Sequence, residues 1–100
     1  MSKVLGKLEF VALLPRRGSS KFPVSLTLEM YAASIPDGDP VLVLTIPNWR
    51  GIEEEINWYT PQTLRADLAQ GIIRNKIAVV DYEVDSALLG IWLDSTLLGL

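Results

Sequence analysis

The densest positive charge in the chain lies in Arg16-Arg17-Gly18-Ser19-Ser20-Lys21, the first place where ligand chemistry could sit. Guanidinium groups fork onto phosphate or carboxylate oxygens, and backbone amides around a glycine add further donors. Residues 1–21 carry a net charge of +4, whereas residues 22–100 carry −7. Arg16, Arg17 and Lys21 are therefore the candidate anion-binding residues. The six residues lack the spacing of a phosphate-binding loop, and a solvated loop tip is the plainer expectation.

A second constellation is aromatic. Trp49 and Arg50 lie in the turn-like stretch Pro47-Asn48-Trp49-Arg50-Gly51. Exposed tryptophan and arginine are the side chains that dominate binding hot spots, so both are candidate partner-binding residues. The competing expectation for Trp49 is that its ring folds back over the end of the core. Trp58 shares a two-residue period with Ile52 and Ile56 and is expected to point into the core.

Carboxylates form the third. In a strand, Glu53 and Glu55 of the run Glu53-Glu54-Glu55 share one face about 7 Å apart, a spacing that could hold a hard cation. No further ligands accompany them, so a solvated strand face is expected. Glu54 is the exception, placed by alternation on the apolar side, where an inward charge at a sheet edge would discourage aggregation. Asp37-Gly38-Asp39 is only a fragment of a calcium loop, bracketed by Pro36 and Pro40. The chain has no histidine and no cysteine. That removes imidazole-assisted and thiolate catalysis, disulfides and sulfur-bound zinc. No catalytic residue, cofactor site or metal site is assigned, and the chain is expected not to be an enzyme.

These residues must be positioned by elements whose period is mostly two. Leu8, Phe10, Ala12 and Leu14 form one strand face, and Val24, Leu26, Leu28 and Met30 another. Val41 to Ile46 is apolar on both faces and reads as a central strand. Ile52–Trp58 and Ala78–Val84 alternate as well. One helix, about residues 61–70, is marked by Thr60 as N-cap, Pro61 at its first position and Gly71 just past its end. Leu64, Leu68 and Ile72 make its inward stripe. In Pro36-Asp37-Gly38, proline presets φ and glycine is expected to take a positive one. Residues 86–100 are ambiguous: Asp85 or Ser86 could cap a helix, but Leu88–Leu93 is read as a strand.

Short polar connections favour antiparallel pairing. The fold class expected is α+β, mainly β: one domain over residues 1–100, built as a small antiparallel sheet or partly open barrel of five to six strands with one helix. The order of three strands, a helix and two strands resembles that of an OB-fold, if Ile52–Tyr59 is an insertion. No stretch is long and apolar enough to span a membrane and no signal peptide is recognisable, so a cytoplasmic protein without membrane contact is expected.

The composition points to a surface. Apolar residues make up 49% of the chain before its seven glycines are counted, and they crowd its end. Leu89, Ile91, Trp92, Leu93, Leu97 and Leu98 are candidate partner-binding residues, because a large exposed apolar patch usually marks an interface. The expected function is that of a non-enzymatic assembly or adaptor protein, binding a protein partner or a second copy through this segment. The less favoured alternative is an OB-like binder of single-stranded nucleic acid or another anion, using the 16–21 loop and Trp49.

Overall fold

Alternating apolar residues lay down a long hairpin first. In a computed structural model, which describes residues 3–15, 20–47, 54–76 and 79–99, β1 (Val4–Pro15) and β2 (Lys21–Tyr31) pair antiparallel from Val4↔Tyr31 to Pro15↔Lys21. β3 (Val41–Pro47) and β4 (Glu54–Tyr59) continue the meander. α1 (Pro61–Leu68), β5 (Ile72–Asn75), β6 (Val80–Glu83) and α2 (Ser86–Leu98) follow. The strands form one six-stranded antiparallel sheet in the order β4-β3-β2-β1-β6-β5. The α+β, mainly β class is therefore the one expected, with a second helix added. β4 pairs with β3 over its whole length, so it is a full member of the sheet. The insertion required by the OB-like alternative is not what the chain builds.

The inner face of the sheet carries the core. Phe10 and Ala12 of β1, Leu26, Leu28 and Met30 of β2, and Leu42, Leu44 and Ile46 of β3 are buried. Val41, Val43 and Thr45 face the other way and are half-buried, as the two-sided apolar pattern of β3 implied. α1 and α2 cover the inner face with Leu64, Leu68, Leu89 and Leu93. Each such side chain contributes about 1.5–3 kcal/mol when fully buried.

α1 begins as its sequence dictates. The Thr60 hydroxyl accepts from Thr63 N at 3.1 Å, Thr63 reciprocates on Thr60 N at 2.8 Å, and Pro61 occupies the first turn. Gly71 follows the helix at φ +74°, a conformation glycine adopts without steric cost. Ile72 does not extend the helix stripe; it opens β5, a strand that the helical reading of Leu64, Leu68 and Ile72 conceals. In the 35–38 turn the positive φ (63°) falls on Asp37, not on Gly38. Gly38 is needed for space instead, since a Cβ there would lie 2.9 Å from the Ala33 and Ile35 side chains.

The C-terminal segment is a helix, which corrects the strand expected over Leu88–Leu93. Asp85 caps it, its carboxylate accepting from Leu88 N at 3.1 Å. Leucine favours helix, and Leu89 and Leu93 lie one turn apart on the inward face. The segment resembles a strand because its outward face is apolar too, which erases the helical period. Gly6 of β1 lets α2 approach: a Cβ on it would fall 2.8 Å from Thr96 Cγ2.

The two ends of the sheet, β4 and β5, face each other across a seam bridged by side chains. Tyr59 Oη lies 2.8 Å from both Arg74 O and Asp67 Oδ2, its one proton shared between two acceptors, and accepts from Arg74 N at 3.2 Å. Two residues earlier, Asn57 Oδ1 accepts from Lys76 N at 2.8 Å. The contacts step by two in opposite directions, as in an antiparallel ladder. The barrel is thus partly open in its backbone and laced by β4 side chains. Among the described residues Asn57 Nδ2 has no acceptor, so the lacing is incomplete.

Burial raises the Tyr59 phenol well above its ordinary value of 10.0, and the hydrogen bond to the Asp67 carboxylate adds to this. The raised value stabilises the fold fully below pH 10.0, where the hydroxyl is protonated both folded and unfolded. Above that pH only the unfolded chain ionises, and the contribution falls as pH rises. Tyr59→Phe should therefore lose about 1–3 kcal/mol in urea unfolding at neutral pH. The deficit relative to wild type should shrink as pH passes 10.0. A constant deficit between about pH 8 and 11, which brackets the ordinary phenol pKa, would contradict this role for Tyr59.

Candidate functional site

The expected anion site is not assembled by the described residues. Lys21 opens β2 opposite Pro15, and its Nζ pairs with Glu83 of β6, bracing the hairpin against its neighbour. Arg16 and Arg17 lie outside the described residues, as do Trp49, Arg50 and Glu53. Glu54 and Glu55 belong to β4, but their side chains also lie outside the description. The inward position expected for Glu54 thus lies outside the described residues.

The C-terminal candidates are divided between two faces of α2. Leu89 and Leu93 are fully buried in the chain's own core and offer nothing to a partner, a correction to their expected role. Trp92 and Leu97 are half-buried and pack against that core. On the opposite side Leu88, Ile91 and Leu98 are 46%, 66% and 87% exposed. Ala87 and Ser95 share this face, and both are exposed. Asp94, on its border, is neutralised by Arg65 of α1 at 2.8 Å. The outward face of α2 therefore presents large aliphatic side chains separated by small ones, with its one charge paired. No helix among the described residues is long and apolar enough to cross a membrane.

A second apolar surface lies on the other face of the sheet, where sequence reasoning did not place one. β4 meets β3 in the register Leu42↔Tyr59, Val43↔Trp58 and Leu44↔Asn57. Tyr59 and Asn57 thus join the inner face, 3% exposed each, while Trp58 and Ile56 stand outside at 64% and 45%. The expectation that Trp58 points into the core is overturned. Apolarity favours the phase with Trp58 inside, but the seam favours the other. Among the described side chains of β4, Tyr59 and Asn57 reach the β5 backbone, and an unpaired buried strand edge costs several hydrogen bonds.

The outward Trp58 forms one side of a groove of about 560 Å³. Val41 and Val43 of β3 line it, with Ile56, Val4, Tyr31, Ala32 and Ser34. Tyr31 Oη donates to Glu29 Oε2 at 3.1 Å. That hydrogen bond, aided by burial and by the carboxylate's charge, raises the phenol above its usual pKa. The one available signal for the groove was that Tyr59 alternates with Trp58 and carries a hydroxyl able to bond at depth.

No family model matches the chain, and no curated protein or solved structure is detectably similar to it.

The placement of Trp58 has a direct consequence for stability. Trp58→Ala should cost at most about 1 kcal/mol in urea unfolding, against about 3–5 kcal/mol for an aromatic truncated in a core. A loss in the core range would return Trp58 to the interior and dissolve the groove.

Proposed function

We propose that this chain is a non-enzymatic assembly module that pairs with a second copy of itself through the outward face of α2. The observation that supports it is the line Leu88, Ile91, Ser95, Leu98. Single exposed leucines are ordinary on any surface. Three large aliphatics on one face of a capped helix, with no unpaired charge among them, are not. Their spacing reads the same when the helix is reversed. Two copies related by a two-fold axis can lay their α2 helices antiparallel, setting Leu88 of one beside Leu98 of the other. Ile91 then meets Ser95 twice, large against small, which is the self-complementarity a symmetric dimer requires.

One helix face is a small interface. It falls below the roughly 1,200 Å² at which stable complexes begin, so the dimer is expected to be weak and reversible. The reading as a binder of single-stranded nucleic acid has less to rest on, because Lys21 is engaged by Glu83.

Sedimentation equilibrium from roughly 10 µM to 1 mM tests the proposal, a range that brackets weak association. Wild type should shift from monomer towards dimer, and Ile91→Lys should remain monomeric. The variant should unfold within about 0.5 kcal/mol of wild type, because Ile91 is exposed. A wild type that stays monomeric throughout, or an Ile91→Lys protein that dimerises equally, refutes it.

A further inference from the structure

Aromatic faces attract cations, and an apolar groove with a carboxylate at its side has a preferred ligand charge. The outer groove supplies the aromatic and aliphatic walls, and Glu29, outside its lining, is hydrogen-bonded to the lining residue Tyr31. Trp58 exposes its indole, and no cation or ring contact covers it among the described residues. Tyr59, on the opposite side of the same strand, shows the contrasting case: Lys76 Nζ already lies 4.7 Å from its ring centroid.

Glu29 supplies the charge. In the sheet it lies beside Val43, which in turn lies beside Trp58, so the three occupy one row across the outer face. Lys7 is opposite Glu29 in register, yet its ammonium turns to Glu9 at 3.6 Å. Glu29 is left with the Tyr31 hydroxyl and no basic partner among the described residues. A carboxylate in this state favours a cationic neighbour, and the chain's net charge of −3 acts in the same direction.

The remaining walls set the rest of the ligand. About 560 Å³ is far more than a bare ammonium group fills, and it lies within the range of small-molecule sites. Val41, Val43 and Ile56 offer only aliphatic contact. We propose that this groove binds an alkylammonium ligand, a cationic head between Trp58, Tyr31 and Glu29 on an apolar stem lying over Val41 and Val43. The inference does not rest on pairing through α2.

Hexyltrimethylammonium, hexylsulfonate and 1-hexanol separate charge from greasiness in one amide-detected NMR titration of the full chain. The cation should shift the Val41, Val43 and Trp58 signals and bind about tenfold more tightly than either of the other two. Glu29→Gln should remove that preference while leaving the remaining spectrum in place. Trp58→Ala should weaken binding of the cation more than that of hexanol. Equal affinity for hexanol and the cation, shifts confined to other residues, or an unaltered preference in Glu29→Gln would each overturn the proposal. So would the absence of any shift.

Discussion

The hydroxyl of Tyr59 occupies the position on which this fold turns. A sheet that curls without closing has two raw edges, and hydrogen-bonding groups on a buried edge must be satisfied. Here the backbone of Arg74 gives and receives through that one hydroxyl, while Lys76 N is met by Asn57. The carboxylate of Asp67 ties the same point to α1, since it meets both Tyr59 Oη and Arg74 N. Strand β4, helix α1 and strand β5 are thereby held at one place. A continuous backbone ladder would have given a more regular closure. Side-chain lacing instead allows β4 to end in a helix whose leucines fill the core below it.

This constraint decides what the outer surface looks like. Side chains alternate, so a strand that must send residues 57 and 59 inward must send 56 and 58 outward. The chain therefore buries an asparagine and exposes a tryptophan, against the preference of each. Burying Trp58 would favour the opposite phase by about 1.5–3 kcal/mol. Against that stand the hydrogen bonds of the seam, each worth about 1 kcal/mol net but costing about 1–3 kcal/mol per group if left unmade in the interior. The second sum is larger, and the groove beside Trp58 follows from it.

Where the two faces of an element differ in polarity, the sequence was readable. The hairpin faces around Phe10 and Leu28, the two-sided β3 and the cap of α1 by Thr60 and Pro61 all rest on local rules and stand as read. The failures have different causes, and for Trp58 the deciding contact lies far away in sequence. Asn57 meets Lys76 nineteen residues on, and nothing near Trp58 announces it. In α2 both faces are apolar, so no period distinguishes helix from strand, and Asp85 as a cap was the better guide than the hydrophobic run. β5 was hidden because Ile72 falls at a helical interval from Leu68. Of the proposed surfaces, the line in α2 was legible as a set of residues but not as a face, since Leu89 and Leu93 turn inward. The groove was legible only in the alternation of Trp58 with the hydroxyl-bearing Tyr59.

Part of the apolar surplus that marks this composition thus lies in two places with different consequences. α2 packs on the core side of the sheet, and its outward stripe faces away from the strands. The groove lies on the opposite face of those strands, over Val41 and Val43. A two-fold pairing through α2 would leave both grooves of a dimer uncovered and pointing outward, because the sheet and a helix layer separate them from the contact. Ligand binding and association need not compete for surface. Coupling between them would have to pass through β3, whose Val43 touches the groove while Leu42 and Leu44 sit in the core with Leu89 and Leu93. A tightly packed strand of that kind transmits strain poorly unless it has a second arrangement to adopt. The expected relation is independence: the proposed association would be set by one face of a helix and the proposed ligand affinity by one row of a sheet.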